Sequence, residues 1–76
     1  MLEKVIEKAK ENKMQIILCA REDETIKVSW EIEIDGHKYG DYINLTEKQS
    51  KDEKIILNTI DVFVNQKNVV MESLKK

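Results

Sequence analysis

Apolar positions recur along the chain with two different periods. Leu2, Val5, Ile6 and Ala9 fall at i, i+3, i+4 and i+7, while Glu3, Lys4, Glu7, Lys8, Lys10 and Glu11 cover the opposite side. That spacing predicts an amphipathic helix over residues 2–12. Residues 14–20 (MQIILCA) are short, apolar and β-branched in the middle, and read as a strand with both faces at least partly covered. The charged loop Arg21-Glu22-Asp23-Glu24 follows. From Ile26 to Ile34 the period changes to two: Ile26, Val28, Trp30, Ile32 and Ile34 point one way, and Lys27, Ser29, Glu31 and Glu33 the other. Asp35-Gly36 suits a two-residue type I′ turn, whose central positions both need positive φ, so residues 37–45 return as an antiparallel strand.

A two-residue turn sets the pairing: Ile34 with His37, Glu33 with Lys38, Ile32 with Tyr39, Val28 with Ile43 and Ile26 with Leu45. It also sets Asp41 against Trp30 on the apolar face. Either a β-bulge at Gly40 turns Asp41 outward, or Asp41 sits at the sheet margin where its carboxylate stays wet; the bulge is the favoured expectation, and it brings Tyr42 toward the core. Without the bulge, Tyr42 points outward beside Ser29 and near Ile17, as an exposed aromatic anchor.

Two capping signals follow, Thr46-x-x-Gln49 and Ser50-x-x-Glu53, the second lying closer to the apolar run. Ile56, Ile60, Phe63 and Val64 then form a helical stripe, which Val70, Met71 and Leu74 extend. A single helix over residues 51–74 would be about 36 Å long, more than a globule of about 11–12 Å radius of gyration accommodates. The polar run Asn65-Gln66-Lys67-Asn68 is therefore the expected break, with a short last helix over residues 69–74. The expectation is one α+β domain spanning residues 1–76: a three-stranded antiparallel meander with an N-terminal helix and one or two C-terminal helices on one face, in the order α-β-β-β-α-α.

Composition narrows the function classes. At 76 residues the chain supports one core and no doubly wound nucleotide fold or barrel. Cys19 is the one cysteine and His37 the one histidine, so neither an internal disulfide nor a common Cys/His zinc site is expected, and no cofactor is. Cys19 is expected to pack buried or half-buried, and His37 to flank the turn in solvent. Glu31 and Glu33 lie about 7 Å apart on one strand face, where a solvated face is a more ordinary role than an acid–base pair. No phosphate loop or nucleophile elbow is present, and the chain is not expected to be an enzyme. No apolar run approaches the ~18 residues of a membrane span, which points to a cytoplasmic protein.

Net charge is −2, which argues against a phosphate-reading surface. The distribution is uneven: from Arg21 to Glu47 eight acids stand against three bases, a local balance of −5. Such a segment would steer the domain toward a basic partner. Glu22, Asp23, Glu24, Glu31, Glu33, Asp35 and Asp41, with Tyr42 as anchor, are the candidate partner-binding residues.

The element order over residues 2–64, with Ile32-Glu33-Ile34-Asp35-Gly36-His37-Lys38-Tyr39-Gly40 and Ser50-Lys51-Asp52-Glu53-Lys54, resembles the double-stranded RNA-binding domain. That resemblance implies RNA contacts from the first helix, the loop after the first strand and the start of the last helix. Here the matching loop is Arg21-Glu22-Asp23-Glu24, whose acids would repel phosphate, and Lys51 and Lys54 are separated by Asp52 and Glu53. The chain is also similar in size, element order and acidic middle to small phage anti-CRISPR proteins, the acidic type II-A Cas9 inhibitors. That similarity implies a non-catalytic inhibitor in a bacterial host cell, using carboxylates as a DNA mimic against a basic nucleic-acid-binding surface. A homo-oligomer joined through the first strand, where Ile17 and Cys19 place apolar groups on the outer face, is a third reading.

Overall fold

In a computed structural model, which describes residues 2–75, the chain folds as α1 (Leu2–Glu11), β1 (Gln15–Ala20), β2 (Ile26–Ile34), β3 (His37–Leu45), α2 (Glu47–Ser50) and α3 (Glu53–Leu74). This is the expected α+β order. The strands form one antiparallel sheet in the order β1-β2-β3, with α1 and α3 on the same face. α1 runs alongside α3 in the same direction, as two ion pairs mark: Lys4 Nζ lies 3.2 Å from Glu53 and Lys8 Nζ 3.5 Å from Asp61. The core joins Val5 and Met14 to Val28, Trp30, Ile32, Leu45, Ile56, Ile60 and Phe63. The side chain of Leu2, the first of the predicted helical stripe, lies outside the described residues.

The β2–β3 register is the one that the two-residue turn requires, from Ile34↔His37 to Ile26↔Leu45. Asp35 and Gly36 both take positive φ, as a type I′ turn demands. The expected bulge at Gly40 does not form. Gly40 pairs with Glu31 and Asp41 with Trp30 in an unbroken ladder, and a Cβ on Gly40 would collide with the carbonyl of Trp30. Glycine here serves a close backbone approach. Asp41 stays on the helix side of the sheet because Gln66 of α3 receives it there, and Tyr42 consequently points out.

The expected break in the last helix is likewise absent. Asn65 to Asn68 lie within one 22-residue α3. Two of its polar residues dock: Gln66 bonds both Trp30 and Asp41, and Lys67 Nζ donates to the Asn12 carbonyl at 2.8 Å. The length argument fails because the molecule is elongated, 41 × 22 × 16 Å. Nine-residue strands span about 30 Å, and a helix of about 33 Å lies along them. Only the first of the two capping signals operates, and it does so on a short helix of its own. Thr46 and Gln49 form a capping box on the four-residue α2, while α3 starts from Asp52, whose side chain accepts from the Lys54 amide. The Ser50 hydroxyl instead donates to the Glu47 carbonyl, so Ser50 is not the cap.

Candidate functional site

Because α1 and α3 occupy one face, the other face of the sheet is left uncovered by the described residues. The two-residue alternation brings to it Gln15, Ile17 and Cys19 from β1, Lys27, Ser29, Glu31 and Glu33 from β2, and Lys38, Gly40, Tyr42 and Asn44 from β3. A shallow depression of about 490 Å³ lies between Ile17, Cys19, Ser29, Gly40 and Tyr42. Its floor is low where Ser29 and Gly40 offer little or no side chain. Tyr42 rises at the side, 55% exposed, with Lys27 Nζ 4.7 Å from its ring centroid in a cation–π contact.

The candidate acids do not gather into one field. Glu31 and Glu33 are on the uncovered face, but Lys27 and Lys38 share it. Lys38 Nζ lies 3.5 Å from Glu31 rather than bridging its cross-strand neighbour Glu33. Glu22, Asp23 and Glu24 occupy the β1–β2 turn at one end of the sheet, and Asp35 the β2–β3 turn at the other, a strand length of about 30 Å away. Asp23 is committed locally: its carboxylate accepts from the Thr25 hydroxyl and from the Thr25 amide at 3.2 Å. These bonds, the hydroxyl's first, hold its pKa below the ordinary aspartate value.

Asp41 is on the opposite face. Its Oδ1 accepts the Tyr42 amide at 2.8 Å, and its Oδ2 accepts Gln66 Nε2 at 3.1 Å. Gln66 Oε1 in turn accepts the Trp30 indole N–H at 2.8 Å. This Trp30–Gln66–Asp41 chain lines an open cleft of about 480 Å³ between β3 and α3, together with Val62, Val69 and Val70. Sequence reading missed the role of Gln66. The available signal was an acid paired with tryptophan on the core face, which needs a polar partner.

Two expectations for β1 are overturned. All its residues except Ile16, which packs half-buried against the core, are exposed, so only the helix side of β1 is partly covered, and Cys19 is exposed rather than packed. A strand at the edge of a small sheet has neighbours on one side only. His37 is exposed at the turn as expected. Among the described residues no group of three or more His, Cys, Asp or Glu is placed to hold a metal ion, and no helix is long and apolar enough to cross a membrane. In comparisons with protein families, curated proteins and solved structures, nothing matches the chain.

Proposed function

We propose that the chain is a small non-catalytic protein-binding inhibitor of phage origin. It docks its uncovered sheet face on a basic nucleic-acid-binding surface of a bacterial defence nuclease such as Cas9. The observation that carries this reading is Tyr42, an aromatic side chain more than half exposed on a sheet face with no helix over it, beside Ile17 and Cys19. An amphipathic ring held by a rigid strand is the kind of anchor found at interface hot spots. The acids have a supporting part: Glu33 and the Glu22–Glu24 turn rim the face and favour a cationic partner.

The test titrates the protein onto a guide-loaded type II-A Cas9 and reads both binding and DNA cleavage. Tyr42→Ala is expected to weaken binding by about 2 kcal/mol or more with little change in melting temperature. Reversal of Glu31 and Glu33 to Lys should flatten the salt dependence of binding. Absence of binding would remove the nuclease from the proposal, and binding indifferent to Tyr42→Ala would remove this face. A gel shift of double-stranded RNA at ~0.1 M salt would favour the RNA-binding alternative instead. That alternative has weaker support, because Lys4 and Lys51 are already paired with Glu53 and Glu47 and the β1–β2 turn is acidic.

A further inference from the structure

The two edges of the sheet are finished differently. On β3 the amides of Lys38, Gly40, Tyr42 and Asn44 point away from β2, since the tight hairpin commits the alternate residues to the β2 ladder. That edge is blunted: a lysine and an aspartate stand on it, and the outward amide of Tyr42 is taken by the Asp41 side chain. On β1 the Arg21 amide bonds the Thr25 carbonyl at 2.9 Å, which makes 21–25 a hydrogen-bonded pair. The alternation then turns Cys19 and Ile17 toward β2 and leaves the N–H and C=O groups of Ile16, Leu18 and Ala20 facing outward. No charged residue or proline lies between Met14 and Ala20. Leu18 is 42% and Ile17 38% exposed, and the exposed Ile6 belongs to α1, which folds back beside β1.

We infer that β1 is a dimerisation edge, pairing antiparallel with β1 of a second copy of this chain in a register centred on Leu18. In this register Leu18 exchanges both backbone bonds with Leu18 of the second copy, and Ile16 pairs with Ala20, so the outward groups of β1 are satisfied by their own kind. The occupant is set by charge. β1 is neutral, its N-terminal approach carries Lys10, Glu11 and Lys13 and is net positive, and its C-terminal exit carries Arg21, Glu22, Asp23 and Glu24 and is net negative. Antiparallel self-pairing lays each basic end on the other copy's acidic end twice over, with Lys13 opposite Asp23. A parallel pairing would set like against like. The result is a continuous six-stranded sheet, and the inference stands independently of the partner proposed above.

The experiment is the solution mass of the full chain by light scattering across a wide concentration range, together with two variants. The wild type is expected at twice the 8.9 kDa chain mass. Leu18→Lys sets two ammonium groups opposite each other at an exposed position, and should give a folded monomer with an unchanged circular dichroism spectrum. Ile17→Cys tests the register: Ile17 faces Cys19 of the second copy in a non-hydrogen-bonded pair, where the Cα separation of about 4.5 Å falls within disulfide range. Mild oxidation should then yield a covalent dimer that the wild type, whose lone thiols are offset, does not form. A monomeric wild type at every concentration overturns the inference, as does a dimer that survives Leu18→Lys. A dimer in which Ile17→Cys fails to cross-link overturns the Leu18-centred register. Tyr42→Ala should leave the dimer intact, which separates this result from the fate of the partner-binding reading.

Discussion

Gln66 shows how one side chain settles the conflict posed by Trp30 facing Asp41. Its amide donates to the aspartate and accepts from the indole, so both polar atoms are satisfied at a site where the Trp30 ring is buried. Gln66→Leu is expected to destabilise the fold by about 1–3 kcal/mol, because a buried indole N–H loses its acceptor; urea unfolding measures it. Asp23 offers a test by titration. Its pKa is lowered in the folded state by the Thr25 bonds, so its contribution is present above the unfolded pKa and is lost as pH falls through the lower, folded value. An NMR titration should find its midpoint below the ordinary value, and Thr25→Ala should move it upward.

At the scale of elements, α3 is continuous because nothing in Asn65-Gln66-Lys67-Asn68 breaks a helix. Asparagine and glutamine have only modest propensity costs, whereas glycine and proline, both missing from α3, cost about 1 and 3 kcal/mol. Asn68 is exposed in mid-helix, and Asn68→Pro should therefore cost about 3 kcal/mol or more with a visible loss of helical ellipticity. A true break at this point would have tolerated it. β2 and β3 form the best-determined element, since alternation, turn chemistry and register agree; β1 has only an apolar run and no turn partner to say which of its sides is covered.

Across the whole molecule, a core with nine buried hydrophobic residues among those described holds two helices to one sheet face, and no described element covers the other. Phe63 is fully buried at the centre of α3, and Phe63→Ala should cost about 3–5 kcal/mol. Tyr42→Ala, on the bare face, should leave the melting temperature nearly unchanged. The contrast between the two aromatic truncations, read in one thermal-unfolding series, checks that the layers are arranged as described. The elongated shape follows from the same layering, because a long helix along a long hairpin buries its apolar stripe without rounding the molecule.

Local rules were enough for the element order, the hairpin register and the type I′ turn, because each depends on neighbours within a few residues: alternation in β2, positive φ at Asp35-Gly36, a capping box at Thr46. The candidate anchor Tyr42 was also legible, but its direction was not. That direction turns on whether Gly40 bulges, which depends on Gln66, 25 residues beyond Asp41 along the chain. The run of α3 past Asn65 depends on the same docking and on the shape of the molecule. The charge count from Arg21 to Glu47 was correct as a count, yet only the tertiary structure sends Asp41 to the helix side, pairs Glu31 with Lys38 and separates the two acidic turns by a strand length. Periodicity reports which face a residue takes relative to its own element. What covers that face, and which charge stands opposite, is decided by contacts between elements distant in sequence.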